Sequence, residues 1–547
     1  MSFFLQLINS LIPVHYKIQR HIKKYFYKKT EIVKKKSVIL VELNELSSNT
    51  IISLYLLKVL NFFFISEVFV YKIPLKNIYL TKIQFFLRNF FKIGSFGIYA
   101  AFGVKKFILS IEDSKEDSKK TNLIYRNTLS KIKEKSDIEK IRINNILIGD
   151  LIYDSYLLNY KKPTINFSSS EFLNYLYQCI KIFIYWENFF KKNSVKAIIV
   201  SHTVYLNAMP LRIAIKNNIL AYQTNLKSIY YLNKKELFAY KQYKFYPKIF
   251  SKFKKKDKIK FIQLAKQRLN LRFEGQVGVD MFYSNKSAYK NYKKFRIIKK
   301  SKKIKILVAA HCFFDSPHSY GNNFFCDFYE WLEFLGKVSL KTDYDWYIKT
   351  HPDFYQLSEK VVKNFINKYD KFNFLEADSS HNQIIKEDID FALTIYGTIA
   401  AEYAAKGVPV INASINNPHI KYNFSINPKN LDSYEKLLMN LPKIKLKINK
   451  DKVYEYYFMN NLYYENALLY GNYYSLLNNI GGYKKTLDSN FYKYFLNNFN
   501  VDEHKLLISK IKKYVRSKQY MSDIFFKDLD NKVNKYTIDN FNNIYKR

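Results

Sequence analysis

From residue 37 onward, short runs of β-branched and aromatic residues alternate with longer stretches of helical periodicity. That alternation is the trace of a parallel sheet whose strands are joined by helices packed on its faces. Strands are predicted at 38–43, 67–71, 106–109 and 145–148. A helix follows over 171–191, then a strand at 195–200 whose apolar run suits burial on both faces. Helix 207–216 and strand 219–222 complete the first half.

At 547 residues the chain is too long for one ordinary core. Residues 284–303 are dominated by Lys, Asn, Ser and Tyr without apolar period and directly precede a fresh strand at 304–309. A domain over 37–290 and a second over 291–442 are therefore expected. The second half repeats the alternation: helix 324–340, strand 345–349, helix 358–368, strands 372–375 and 389–395, helix 398–406, strand 408–412. The expected fold class is α/β, with two doubly wound Rossmann-like domains facing a cleft and ligands at the carboxyl ends of strands. Residues 443–547 are helical in pattern, carry no motif, and are expected to brace the two domains.

Residues 1–36 begin apolar and then carry Lys17, Arg20, Lys23, Lys24, Lys28, Lys29 and Lys34 to Lys36. Two readings stand: a peripheral anchor on the anionic cytoplasmic leaflet, or a basic tail or helix packed on the body. No positive region precedes the apolar start and no small-residue cleavage site follows it, so a signal peptide is not expected. The apolar run 51–65 carries Lys58 and is short of a membrane span.

The formal net charge of +44 has two readings as well. With only 13 Gly and 11 Pro in a chain crowded with Lys, Asn, Ile, Phe and Tyr, it reads as compositional drift over solvated faces. It also favours anionic partners such as sugar nucleotides, polyanionic glycans and membranes. The charges run through almost every segment and no nucleic-acid module stands out, so nucleic acid is not an expected partner. Three cysteines, Cys179, Cys312 and Cys326, lack ligand-like spacing, which excludes a disulfide framework and a Cys-based zinc site and points to a reducing cytoplasm.

Three segments carry chemistry. In the first, Thr394 through Val410, a buried strand ends at Tyr396-Gly397 and a helix opens at Thr398. N–H groups at such a start bind phosphate oxygens, and Glu402, one turn on, can accept from ribose hydroxyls. The plainer reading is an ordinary βαβ unit with a Thr cap and a Gly407 stop. The second segment, Lys349-Thr350-His351-Pro352, ends a predicted strand. Lys349 supplies a positive charge, His351 a phosphate donor or a proton for a leaving group, and Pro352 stiffens the turn. A bare surface turn is the alternative. In the third, His311 through Gly321, polar groups crowd a strand-to-helix loop that includes Asp315 and His318. Five of nine histidines, His311, His318, His351, His381 and His419, fall within about a fifth of the chain's length.

In the first half Glu42 and Glu45, Asp150 and His202 sit after predicted strands, where an acceptor would face the donor, though Asp150 also suits a helix cap and His202 an ordinary loop. Asp343 and Asp345, and Asp388 and Asp390, have metal-binding spacing but fall where strands begin. A divalent metal is therefore not indicated, and no tightly bound cofactor is expected.

The block from Ile304 to His419, with Asp315-Ser316-Pro317-His318, Phe328-Tyr329-Glu330-Trp331, Lys349-Thr350-His351-Pro352, Gly397-Thr398 through Glu402 and Asn417-Pro418-His419, resembles bacterial capsule polysaccharide biosynthesis proteins, glycosyltransferase-like proteins of GT-B architecture. Gly149-Asp150 through Asp154 and Ser201-His202 through Arg212 extend the resemblance weakly into the first half. It implies donor contacts at His351-Pro352, Thr398 and Glu402, which join the residue readings above in an expected nucleotide-sugar site of His311, Lys349, His351, Pro352, Tyr396, Gly397, Thr398 and Glu402. Asp315, His318 or His202 would act on the acceptor hydroxyl, with Glu42, Glu45 and Asp150 on the acceptor side. No Asp-Asp-Gly or Glu-Asp-Gly motif of sialyltransferases is present. The implied activity is glycosyl transfer from a nucleotide-sugar to a glycan or lipid-linked glycan of the cell surface. A CDP-polyol phosphotransferase, a UDP-sugar epimerase and a basic binding protein remain alternatives.

Overall fold

The computed structural model describes residues 13–27, 37–73, 78–111, 114–281, 284, 286–351, 355–463, 466–469 and 471–522. Its first half contains β1 (Ser37–Glu42), β2 (Glu67–Tyr71) and β3 (Lys106–Ile108), a separate hairpin of β4 (Arg142–Ile143) and β5 (Ile146–Leu147), and then β6 (Ser194–Val200), β7 (Leu220–Thr224) and β8 (Ile229–Leu232). The main sheet runs β3-β2-β1-β6-β7-β8. Every pair in it is parallel except β7 with the edge strand β8.

β1 is buried along its whole length. Val38 and Leu40 join Ile198 and Val200 in one core, while Ile39 and Val41 join Val68, Val70 and Ile199 in the other. Period-two alternation between two apolar faces makes such a strand read as an unbroken apolar run. The expected strand at 145–148 is corrected. Asn144 and Asn145 both adopt positive φ, +50° and +63°, which closes a tight two-residue hairpin instead. The run then enters the helix Gly149–Tyr160.

The second half holds β9 (Lys305–Ala309), β10 (Asp345–Lys349), β11 (Phe372–Leu375), β12 (Phe391–Thr394) and β13 (Val410–Asn412), all parallel in the order β11-β10-β9-β12-β13. Ile306, Val308, Trp346, Ile348 and Leu393 fill one face, and Leu307, Tyr347, Ala392 and Val410 the other. The fold class is thus α/β with two doubly wound parallel sheets. In each, strand order reverses once, between β1 and β6 and between β9 and β12. Such reversal points open crevices at the carboxyl ends of strands.

The helix Lys450–Tyr457 packs on both Lys255–Phe273 and Ile399–Lys406, and the first core extends through Tyr456, Tyr457 and Met459 to Ala401, Ala404 and Ala405. The helices Ser489–Asn497 and Val501–Ser517 pack on Ser47–Phe64 in the other core of the first sheet. The C-terminal extension therefore touches both halves as far as residue 522, and residues 523–547 lie outside the described residues. At the other end, helix Pro13–Tyr25 packs on Ser95–Phe102 and Ser489–Asn497. Its stripe Val14, Ile18, Ile22, continued by Phe26, is buried in protein, so for this helix the packed reading holds. Residues 1–12 and 28–36, including Lys28, Lys29 and Lys34 to Lys36, lie outside the described residues. No described helix is long and apolar enough to cross a membrane.

Candidate functional site

A cavity of about 550 Å³ opens at the reversal point of the second sheet, lined by residues that follow β9, β10 and β12 and by the segment from Arg272 to Tyr289. That segment lies on the N-terminal side of the expected boundary at 290/291. Among the described residues no lining group precedes Arg272.

The floor is built by one threonine. Thr394 Oγ1, at the end of β12, accepts the Gly397 N–H at 3.1 Å and lies 3.0 Å from His311 Nε2. The Ile395 N–H also points at His311 Nε2, at 3.3 Å. Nε2 therefore acts as acceptor, the proton sits on Nδ1, and among the described residues nothing else bonds Nδ1. Burial, and then the neighbouring His351, hold the His311 imidazole down to about 3, so it is a neutral donor. Its ring stacks on Phe328 at 4.6 Å. Gly397 is required for space: a Cβ there would fall 2.7 Å from Thr394 Oγ1 and break this arrangement.

Thr398 opens the helix Ile399–Lys406 but does not cap it, against the plainer reading of this segment. Its backbone is already helical, at φ −60° and ψ −21°, and its side chain makes no cap bond. A capping hydroxyl needs an extended backbone to turn back onto the first turn. The Thr398 hydroxyl is instead exposed on the cavity wall. Among the described residues nothing accepts from the N–H groups of Thr398 and Ile399, so the positive end of the helix faces the cavity. Gly407 ends this helix at φ +91°, its N–H bonding back to Ala404 and Tyr403.

Lys349, at the end of β10, is 2 % exposed and donates to the Ala377 carbonyl at 2.7 Å. Burial lowers its ammonium to about 8, against the opposing pull of Asp378. Thr350 beside it carries a buried hydroxyl with no partner among the described residues. His351 lines the same wall, and Pro352 lies outside the described residues. His381 is a lining residue that no motif indicated. Its Nδ1 pairs with Tyr403 Oη at 2.7 Å, and burial, then Lys349 and His351, hold it well below its ordinary value.

Glu402 lies where expected, on the cavity side of its helix, but it arrives engaged. Arg272 donates to Oε1 at 2.6 Å and Tyr289 Oη donates to Oε2. Burial opposes the Arg272 charge, yet Glu402 holds that guanidinium firmly protonated. Arg272 and Tyr289 come from a segment without motif character, and sequence reasoning missed both. Tyr396, also in the lining, donates through Oη to the Ser316 carbonyl at 3.2 Å.

No family model matches the chain, and no curated protein is similar to it in sequence. Solved structures that match the chain include the UDP-GlcNAc 2-epimerase of Neisseria meningitidis bound to UDP-GlcNAc, at 10% identity and TM-score 0.22, covering 78% of this chain and 96% of that one. The O-GlcNAc transferase of Thermobaculum terrenum matches at 8% identity and TM-score 0.23, covering 91% of this chain and 74% of that one. The Anabaena protein HepE in complex with UDP matches at 8% identity and TM-score 0.23, covering 81% and 98%. At these scores the likeness bears on neither mechanism nor substrate.

The remaining expected residues divide sharply. Asp315 sits on the cavity rim, where it accepts from Tyr205 Oη at 2.7 Å and so ties the rim to the first half. His318 is corrected: it is fully buried outside the cavity, with Nδ1 2.5 Å from Asp154 and Nε2 2.9 Å from Glu139. Burial disfavours its charge, but Asp154 and then Glu139 raise it well above the ordinary value, so it is an imidazolium clamped between carboxylates. It has no free nitrogen for an acceptor hydroxyl. His202 is exposed in the loop after β6 and does not line the cavity.

The acceptor-side carboxylates are likewise occupied. Glu42 accepts the Ser201 N–H at 2.7 Å, the Ser201 hydroxyl at 2.8 Å and Asn207 at 3.1 Å. Glu45 pairs with Arg88 at 2.9 Å and Lys72 at 3.3 Å. Asp150 caps nothing and is buried against Arg212 at 2.6 Å. Of the paired aspartates, Asp343 bonds Lys303 and Asp345 bonds Ser301 at the strand starts, away from the cavity.

Proposed function

We propose that the protein is an enzyme that holds a nucleotide-sugar in this cavity and transfers its glycosyl group to a surface-glycan acceptor. The observation that carries the reading is convergence. A helix start with unpaired N–H groups, the idle Thr398 hydroxyl, buried Lys349 and three imidazoles meet at the reversal point of one sheet. Each suits an anionic oxygen that gains charge as a sugar departs, where fixed donors in a dry site stabilise a leaving phosphate. His311 offers Nδ1–H, Lys349 its ammonium, and the helix start two N–H groups. Glu402, fixed by Arg272 and Tyr289, keeps lone pairs for ribose hydroxyls. Asp315 on the rim would take a proton from an acceptor hydroxyl through Oδ2, since Oδ1 already accepts from Tyr205 and the Ser316 N–H. The surface-glycan assignment rests on the motif resemblance alone.

Purified protein is titrated with UDP-, CDP- and GDP-sugars, with His351→Ala and Glu402→Ala beside it. The expected result is saturable binding of one nucleotide class, weakened in both variants. No binding of any, with both variants behaving as wild type, overturns the reading. One observation favours a second reaction on the same site. The first-half carboxylates are engaged with protein groups and no described residue before Arg272 lines the cavity, as would suit an epimerase that needs no acceptor. Product mass separates the two, since transfer adds a sugar to an acceptor and epimerisation leaves mass unchanged.

A further inference from the structure

The helix Ile78–Phe90 is amphipathic the wrong way round for a helix on a soluble body. Its buried side is Phe85 and Arg88, and Arg88 anchors it by donating to Glu45 and lying over Phe96. The apolar residues Leu80, Ile83, Phe86, Phe90 and the following Phe91 are instead 66, 56, 65, 68 and 61 % exposed. Their spacing of three and four places them on one face. Phe86 and Phe90 stack on each other in the open, at 6.3 Å. Isolated exposed apolar residues need no explanation, but a contiguous aromatic stripe does.

The charge around it is one-sided. Between Glu67 and Glu112 the chain carries seven Lys or Arg and no Asp or Glu. Lys82 and Lys92 are exposed beside the stripe. Glu45 is taken up by Arg88 and Lys72, and an apolar face flanked by the exposed Lys82 and Lys92 matches the boundary of an anionic bilayer, where acyl chains lie beneath negative headgroups. A protein partner that buried the same stripe would have to supply compensating acidic groups.

We infer that helix Ile78–Phe90 docks the protein on an anionic lipid surface, with the Phe86, Phe90 and Phe91 rings entering the acyl boundary and Lys82 and Lys92 meeting headgroups. The helix follows β2, on the carboxyl edge of the first sheet that also carries Glu45. The inference does not depend on what the cavity binds. It places the contact on this helix and not on Pro13–Tyr25, whose apolar stripe is buried in protein.

The test uses full-length protein and vesicles of phosphatidylcholine, with or without about one third phosphatidylglycerol. Wild type should co-sediment with the anionic vesicles and keep part of that binding at about 0.5 M salt, where surface attraction is screened. A variant with Phe86→Ser, Phe90→Ser and Phe91→Ser keeps every charge, and should lose about tenfold or more in vesicle affinity while nucleotide binding stays as in wild type. Separately, Phe90→Trp should shift its emission to the blue on anionic vesicles, because Trp186, Trp331 and Trp346 are fully buried and give a fixed background. Equal binding to both vesicle types, undiminished binding by the serine variant, or a Phe90→Trp emission that does not move would each overturn the inference. So would a wild-type dimer that the serine variant converts to monomer with no vesicle binding by either, since the stripe would then be a self-interface.

Discussion

The two sheets reverse strand order at equivalent places, yet the carboxyl ends there are opposite in character. In the first, Glu42 at the end of β1 takes both the N–H and the hydroxyl of Ser201, the residue that follows β6, so the reversal point is sealed by its own side chains. In the second, the residues after β9 bond Thr394, Ile395 and Tyr396 at the end of β12, yet His311 Nδ1, the Thr398 hydroxyl and two N–H groups still face a cavity. Topology supplies a crevice in both. Whether it becomes a site depends on whether donors and acceptors at the strand ends satisfy one another. A sealed edge contributes stability and an open one contributes binding, which lets the two be told apart by measurement.

The largest effect is expected where a loop residue of the second half is sealed by carboxylates of the first. His318→Leu leaves Asp154 and Glu139 buried without their cation, and should cost about 3–5 kcal/mol in urea unfolding while nucleotide affinity of the folded protein is unchanged. The folded His318 value is raised, so its stabilisation is fully present below the ordinary 6.5 and is lost as pH rises through that raised value. The gap between wild type and variant should therefore be widest between about 6, where Asp154 takes up a proton, and the raised His318 value, and narrow on either side. A lost nucleotide affinity at unchanged stability would move His318 into the site and break the comparison.

Lys349→Met comes next, on the open side. If the cavity holds the nucleotide phosphate as proposed, removing its buried ammonium should weaken nucleotide binding about tenfold to hundredfold by calorimetry. The free ammonium loses its proton near about 8, so wild-type affinity should fall as pH rises through that value while the Met variant stays flat. Glu42→Gln should cost about 1–2 kcal/mol of stability, since the neutral amide is a weaker acceptor for the Ser201 pair, and leave nucleotide affinity unchanged. An affinity change in this variant would mean that the first reversal point reaches the ligand.

How much was legible follows from the same physics. Strands buried on both faces, such as β1 and β10, read directly as apolar runs within a residue or so of their bounds. Residues 145–148 failed because a short apolar run cannot distinguish a strand from a hairpin leading into a helix, and the deciding positive φ angles fall on two asparagines. In the site, His311, Lys349, His351 and Thr398 were legible because strand ends in a parallel sheet converge wherever the chain places them. Arg272, Tyr289 and the inward turn of His318 were not, since each depends on a partner more than a hundred residues away. His381 left one usable trace, the concentration of imidazole between residues 311 and 419.

The smallest expected effect is the sharpest test of the open edge. A threonine at a helix start usually earns its place as a cap, and Thr→Ala at a cap costs about 1 kcal/mol of stability. Thr398 makes no such bond, so Thr398→Ala should leave the unfolding midpoint within about 0.5 kcal/mol of wild type. If its hydroxyl serves the ligand, the same change should weaken nucleotide binding about threefold to tenfold, the worth of one hydrogen bond to a charged acceptor, and Thr398→Ser should restore it. Stability lost without affinity would make Thr398 an ordinary cap. Affinity lost without stability is the signature of a donor held in reserve, and that is what separates the second strand edge from the first.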